Sequence, residues 1–550
     1  MSVYYDALRI EIKVGEVWVD LTPDVLQNAG ITASQGIMGS GALDRVASAG
    51  QCVFTLRNDK HNSAGKENYY TPGHVNCMSG FRTGAYVRVV VNYLGVDYVI
   101  WYGKIIPDGI KPYVDRYAGK VTVTSRDYFE ELAIHELYLP EFTENKKANE
   151  IAALILANLP IQPLSTQYYS GQTTFRTVFD TVRPRTRALA ELDKLALSEW
   201  GYFYVRTTPA SMEEFVCEGR YTRNEATSLA QIQYPSDEII YLKTEEDEYL
   251  ITEEGERIIL DVNGIKEDAE FIDSALNIEV SHSKDFYNSI RIISYPREID
   301  ATGDTVLFEL QRPIELLPGE VNSMVIVGRF SDPNAKASKV AGINMVTPQA
   351  NTHYEMNELE DGTGTDLTSY LSVTRTYGAD GFEDKLTNTG AQAGWVTKLT
   401  AVGRGIYIYD AVEKYFEDEP SILLYGRRQL SVDMKYLDNP LVADDLGTSL
   451  INQLSDQRTL ADSVTYIANR SEKLMLSFLQ IPIGAKIYIR DGVSGVDQEF
   501  FINGKNWTIR PGGIIEYSYI IRAASLDTYA FWYLGIEGES ELGINTVLGF

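Results

Sequence analysis

Apolar residues recur at two different periods along this chain, and the change of period marks its organisation. Over residues 1–135 the period is two. Leu8–Val14 and Val17–Leu21 flank a turn at Gly15, and Gln51–Arg57 ends at the turn-forming pair Asn58-Asp59. Tyr86–Tyr93, Tyr98–Ile105 and Gly119–Ser125 follow, each bounded by Gly, Pro or Asp. Alternation over a few residues marks half-buried strands, and several at this spacing predict a barrel or sandwich. Ala29–Gly50 is glycine-rich and weakly patterned, which predicts a long loop.

Over residues 136–235 the period lengthens. Ala148, Ile151, Ile155 and Leu159 share a helical face within Glu144–Leu159, and Pro160 stops the run. Leu189, Leu192 and Ala196 do the same within Thr186–Trp200, between Pro184 and Gly201. Gly201–Val205 then reads as a strand with Glu214–Glu218 as its hairpin partner, which completes a small α+β domain. Residues 236–273 hold fourteen acids against three bases (Lys243, Arg257, Lys266) and an eight-residue repeat, Thr244–Ile251 and Thr252–Ile259. Two copies are too few for a solenoid, so an acidic β-ribbon is expected.

The stretch Leu276–Pro296 is a joint. Ile278 and Val280 share one face, Ile290 and Ile292 share another, and the polar Ser283–Asn288 separates them as a turn. A similar alternation returns only at Ser421–Tyr436, through Leu430, Val432 and Met434. One domain, 274–300 plus 420–530, is therefore expected to be interrupted by another, 301–419. The insertion is patterned as a β-sandwich: Val325 and Val327 share a face of Asn322–Phe330, and Trp395–Val402 and Gly405–Tyr409 follow glycine turns. After the return, Pro440 opens a helix with Leu446, Leu450, Ile451 and Leu454 as its stripe. Strands are then expected at Leu474–Leu479, Ala485–Arg490, Glu499–Ile502, Asn506–Arg510 and Ile514–Ala523, with a hairpin turn at Pro511-Gly512-Gly513. Phe531–Phe550 is a separate, glycine-spaced terminal segment.

Composition narrows the function. The 550 residues are enough for three to five domains. A hydrophobic share of 44% lets each of them build an ordinary core. A net charge of −28 argues against a nucleic-acid surface, which needs clustered Lys and Arg, and against docking on an anionic membrane. No run approaches the ~20 apolar residues of a membrane helix, and the start lacks the pattern of a signal peptide. Cys52, Cys77 and Cys217, with no CxxC, read as free thiols of a protein made in a reducing cytosol. The 36 tyrosines suit strands and also suit interfaces.

No candidate for catalysis, metal or cofactor stands out. His61, His74 and Cys77 share a loop region but fit no common zinc spacing. Gly36, Gly39 and Gly41 lack the strand-then-helix setting of a phosphate loop. Asp361 and Asp366, within Glu360–Asp366, could hold calcium, yet the EF-hand order is missing and a polar loop tip is the better account. HExxH, GxSxG and GxxxxGK[ST] are absent. A glycosidase needs only two acids in one cleft, and 77 acidic residues make any chosen pair uninformative. Arg183, Arg185 and Arg187 form a compact basic cluster at a helix start, where the helix dipole disfavours cations. A solvated face suits them better than a contact to an acidic neighbour.

One resemblance runs along nearly the whole chain. Asp20–Leu26 (DLTPDVL), Gly30–Thr32, Phe54–Asp59, Tyr69–Gly73, Phe81–Val89, Tyr102–Ile105, Val121–Asp127 and Ser198–Val205 resemble, in this order, the baseplate hub or tail-tip minor tail proteins of long-tailed bacteriophages. The joint EVSHSKDFYNSIRI, the inserted Leu386–Leu399 and the terminal WYLGIEGESELGINTVLGF are similar to the same family, whereas the acidic repeat departs from it. The resemblance implies a mainly β fold with α+β segments: two β-barrel hub domains, a small α+β domain and an inserted β-sandwich. It implies a structural protein of the virion tail, assembled in the host cytoplasm and typically a homotrimeric ring. Such a ring meets the distal tail protein and tail tube above and fibre or tip proteins below. A tape measure protein is a candidate for its lumen, through which DNA passes without specific binding. Receptor or carbohydrate binding, and a tail-associated glycosidase, are the alternatives.

Overall fold

The computed structural model describes residues 4–114, 119–137, 143–179, 186–234, 240–241, 259–261, 266–282, 284–331, 339–378 and 380–526. Strand accounts for 48% and helix for 17%, so the class is mainly β. The largest sheet has thirteen strands. Its first part runs Val17–Asp20, Ala7–Val14, Tyr86–Tyr93, Val96–Val114, Gly119–Arg126, Gln51–Arg57 and Ile31–Gly36. It continues without a break into Val496–Arg510, Ile514–Ala523, Thr459–Ile467 and Asn277–His282. Lys486–Asp491 pairs with Val496–Arg510 as a branch, and Glu270–Ile272 pairs with Lys486–Asp491 in parallel.

The early and late strands, expected to form two separate barrels, thus share one hydrogen-bonded sheet, and no ring of pairings closes among the described residues. The seam is Ile31–Gly36 against Val496–Arg510, with Ile31 opposite Ile509 and Gly36 opposite Gly504. The expected loop over Ala29–Gly50 therefore begins with a central strand. Its sequence, ITASQG, has only Ile31 and Ala33 to mark the inward face. Gly36 is required at the seam: its φ is +91°, and a Cβ there would lie 2.6 Å from the Asn503 carbonyl oxygen. Asn503 itself marks a bulge, where the register shifts between Ile502 and Gly504. This is why two expected strands, Glu499–Ile502 and Asn506–Arg510, are one bent strand.

The expected strand Leu474–Leu479 is a helix, Glu472–Gln480. Ser471 caps it, its Oγ accepting from the Leu474 N–H at 3.2 Å. Glu472, Lys473, Ser477 and Gln480 share one face of the helix, and Leu474, Met475, Leu476, Phe478 and Leu479 are all buried. It packs on the late strands, with Phe478 and Tyr517 ring centroids 5.3 Å apart.

In the α+β unit, helices Ala148–Ala157 and Ala188–Glu199 accompany a three-stranded sheet of Ser165–Tyr168, Ser211–Glu218 and Tyr202–Thr208. The buried Glu199 carboxylate accepts from the Gln172 N–H at 2.7 Å and the Thr173 N–H at 3.1 Å. Of the acidic segment, the repeat Thr244–Ile259 lies almost wholly outside the described residues. Two short antiparallel pairs remain, Ile240–Tyr241 with Ile259–Asp261 and Gln231–Gln233 with Lys266–Asp268. Phe531–Phe550 also lies outside them.

The two runs of the joint belong to different sheets. Asn277–His282 pairs with Thr459–Ile467, whereas Ser289–Ser294 lies between Val412–Glu417, antiparallel, and Gln429–Asp433, parallel. Between the runs, Phe286 is buried and Asp285 forms a buried 2.7 Å ion pair with Arg522, so this is an anchored crossing and not a solvated turn. Leaving and returning chain lie side by side, Ile290 opposite Leu430 and Ile292 opposite Val432. Ser421–Tyr425 is helical, part of Glu419–Tyr425, capped by the Asp418 side chain.

The inserted strands begin at Arg297, which pairs with Ile408, before the expected Ala301. They end at Ile408, because Val412–Glu417 belongs with Ser289–Ser294. Gly394–Ile408 is one long strand with five partners, and Met324–Arg329, Gly381–Asn388 and Leu371–Tyr377 form a second sheet. Arg375 fixes one sheet to the other. Its guanidinium donates to Asp384 at 2.7 and 2.6 Å and to the Thr400 carbonyl at 2.8 Å, above the Phe382 ring. Val325 and Val327 do share a face, but it is the outer one, where both are more than half exposed.

Candidate functional site

The strand Val96–Val114 leaves its register with Gly119–Arg126 between Ile105 and Ile110. The sequence there is Ile106-Pro107-Asp108-Gly109, and proline supplies no N–H to a ladder. The bulged strand stands away from the residues after Arg126 and leaves a cavity of about 300 Å³. Its walls are mainly apolar, with Tyr86, Ile105, Ile106, Pro107, Ile134 and Ile161.

Four carboxyl groups line this cavity: Glu130 and Glu131 are held by cations, while Asp127 and Glu213 are buried with no ion pair among the described residues. Asp127 Oδ1 accepts from the Gly50 N–H at 3.0 Å and the Phe129 N–H at 3.1 Å, which ties a loop and a helix start to one atom. Burial outweighs these donors and pushes the Asp127 carboxyl up to about 7. Glu213 accepts from the Leu164 N–H at 3.4 Å and is pushed up to about 8, by burial first and then by the charge of Asp127. The charged groups around the pair are matched internally: Lys104 Nζ reaches Glu131 at 2.6 Å, His135 Nε2 reaches it at 2.9 Å, and Arg126 reaches Glu130 at 2.7 Å. Near pH 7 the cavity therefore offers an apolar wall with a mostly protonated Glu213, able to donate a hydrogen bond, and an Asp127 divided between its protonated and charged forms.

Neither carboxyl is singled out by a sequence motif. Glu213 carries one signal: it is in phase with the inward-facing Phe215 and Cys217 of Ser211–Glu218. A carboxylate at a core position of a strand must be paired or protonated.

The candidates read from sequence lie apart from this cavity. His61 is exposed, with Nδ1 3.2 Å from Asp59, and His74 Nδ1 accepts from the Asn76 N–H at 3.1 Å. Cys77 Sγ faces the carbonyls of Met78 and Phe81 at 3.6 and 3.8 Å. No group of three metal-ligating side chains forms among the described residues. In the Glu360–Asp366 loop all three acids are exposed, and Asp361 and Asp366 bond to the loop's own backbone. Asp361 accepts from the Thr363 N–H and Asp366 from the Thr368 N–H, both at 2.9 Å, and bonds to these threonines, through hydroxyl and N–H, hold both carboxyls low. Gly41 donates to Asp44 at 2.9 Å, so its N–H is not turned to a phosphate. Arg187 stands at the start of helix Ala188–Glu199, while Arg183 and Arg185 lie outside the described residues. Cys52 and Cys217 are buried, and all three cysteines are free.

No family model and no curated protein matches the chain. Solved structures similar to it are tail proteins and a related secretion component. They include the 43 kDa tail protein of prophage MuSo2 from Shewanella oneidensis, at 9% identity and TM-score 0.46, covering 94% of this chain and 99% of that one. A tail protein from Neisseria meningitidis aligns at 7% identity and TM-score 0.45, over 95% and 99%. An E. coli component of the type VI secretion system aligns at 7% and 0.36, over 95% and 78%.

Proposed function

We propose that this protein is a structural hub at the distal end of a bacteriophage tail, a ring that joins the sixfold tube to a threefold tip or fibre and lets DNA pass. The resemblance along the chain motivates this reading. The observation that carries it is the seam at Ile31–Gly36, which holds seven early strands against six late ones in a single chain. Three such chains present six strand sets in alternation, matching a sixfold partner while keeping a threefold axis. Heterologous contacts whose rotation closes give a finite ring. Its partners are the distal tail protein and tube above, fibre or tip proteins below, and a tape measure protein in the lumen. Native mass measurement of the assembled tip tests the proposal. Three copies are expected, and six would overturn it.

Two observations favour other roles. The inserted sandwich exposes Leu317, Val321, Val325 and Val327, apolar side chains open to a receptor or carbohydrate surface. Adsorption of the purified protein to host cells tests that role. Asp127 and Glu213 share one cavity, as the two acids of a glycosidase do, although Asp127 Oδ1 is committed to two backbone N–H groups. Turnover of bacterial wall or polysaccharide by the protein tests hydrolysis.

A further inference from the structure

The cavity beneath the Ile106–Gly109 bulge continues past its own mouth. Gly84 and Tyr86 belong to its wall and also to the wall of a second basin, of about 310 Å³. The two basins differ in chemistry. In the first, each cation is answered by a neighbouring carboxylate, Lys104 by Glu131 and Arg126 by Glu130. The second holds Lys13 and Arg82 and, among the described residues, is lined by no acid. Among the described residues Lys13 pairs with Glu16 alone, at 3.1 Å and with the carboxylate almost fully exposed, a geometry that holds little. Arg82 is exposed and has no ion pair or side-chain hydrogen bond among the described residues. On a chain of net charge −28, an apolar hole beside a basin with one weakly paired and one unpaired cation selects for an apolar side chain followed by carboxylates.

Residues 527–550 of this chain have that chemistry. They carry the aromatic run Phe531-Trp532-Tyr533, then Glu537, Glu539 and Glu541, and no Lys or Arg. The described residues end in the turn Ala524–Leu526, and a 24-residue segment spans up to roughly 80 Å when extended. We propose that the two-part groove receives the chain's own segment 527–550, with an aromatic side chain in the apolar basin and its carboxylates against Lys13 and Arg82. A cavity of this size is at the small end of ligand clefts, about 300–1,000 Å³, and suits one anchoring side chain. The inference stands on the groove and is independent of the tail-hub reading.

Thr83 is exposed, lines the first basin and adjoins Arg82, so it can carry a probe. In the full chain, Thr83 is replaced by photoreactive p-benzoylphenylalanine, the protein is irradiated, and crosslinked peptides are mapped by mass spectrometry. The expected crosslinks fall within 527–550 at the mass of a single chain. Arg82→Glu lowers their yield roughly fivefold, the scale of an exposed charge pair, while Arg82→Lys retains it. Replacing Glu537, Glu539 and Glu541 by Gln lowers the yield as well. Crosslinks elsewhere, none at all, a yield indifferent to these charges, or products joining two copies would each overturn the proposal.

Discussion

The substitution Glu213→Gln isolates the energetic consequence of a buried carboxyl. An ordinary Glu titrates near ~4.3, whereas Glu213 is held at about 8 by burial and by Asp127. The unfolded chain therefore releases this proton at a lower pH than the folded one does. The stabilising contribution is complete below the ordinary value and is lost as pH rises through about 8. At ~1.4 kcal/mol per tenfold step, its full loss is worth roughly 5 kcal/mol as an upper bound. Gln keeps an oxygen for the Leu164 N–H, fills nearly the same volume and does not titrate. A chain of this length does not unfold in two states, so the readout is local. Hydrogen exchange, corrected for intrinsic rate, is followed in peptides covering Ser211–Glu218 and Gly119–Arg126 from pH 5 to 8.5. The native protein loses protection there as pH rises, and Glu213→Gln keeps several-fold to several-hundred-fold more of it at pH 8. Parallel curves for the two proteins would refute a protonated Glu213.

Three further outcomes are expected. Arg375→Met leaves Asp384 buried without its partner and destabilises the inserted sandwich by roughly 3–5 kcal/mol, read as raised hydrogen exchange in peptides covering Leu371–Tyr377 and Gly381–Asn388. Adding Asp384→Leu recovers most of that loss, and failure to recover it would refute a charge origin. Replacing 297–408 by a short Gly/Ser linker leaves a soluble remainder, whereas removing 301–419 strips Val412–Glu417 from Ser289–Ser294 and favours aggregation, distinguishable by size-exclusion chromatography. Gly36→Val drives a Cβ against the Asn503 carbonyl at a positive φ and destabilises the seam by roughly 1–3 kcal/mol or more, read as raised exchange in Val496–Arg510.

Where one side of a strand is buried, the sequence was enough. Gln51–Arg57, Tyr86–Tyr93 and Ile514–Ala523 have the bounds their alternation predicts. It fell short where both sides are buried or where a backbone seam replaces side-chain patterning. Leu474–Leu479 is apolar at nearly every position, and a run of that kind fits a buried helix as well as a strand. ITASQG is held by neighbours on both edges and needs little apolar marking of its own. The cavity was invisible for a related reason: it depends on a bulge in one strand meeting Glu213, more than a hundred residues later. Asp127 lies within a stretch that was legible as a strand end, but its burial was not.

The seam at Ile31–Gly36 also imposes an order in time. Its partner strand, Val496–Arg510, leaves the ribosome about 480 residues later. At ~5–20 residues per second, that is roughly half a minute to a minute and a half. Throughout that interval one edge of the early sheet waits with its N–H and C=O groups unpaired, a template for any other strand. ITASQG is short, polar at Thr32, Ser34 and Gln35, and ends in glycine. A more hydrophobic strand would grip its final partner better, but it would also capture the wrong one while synthesis was still under way.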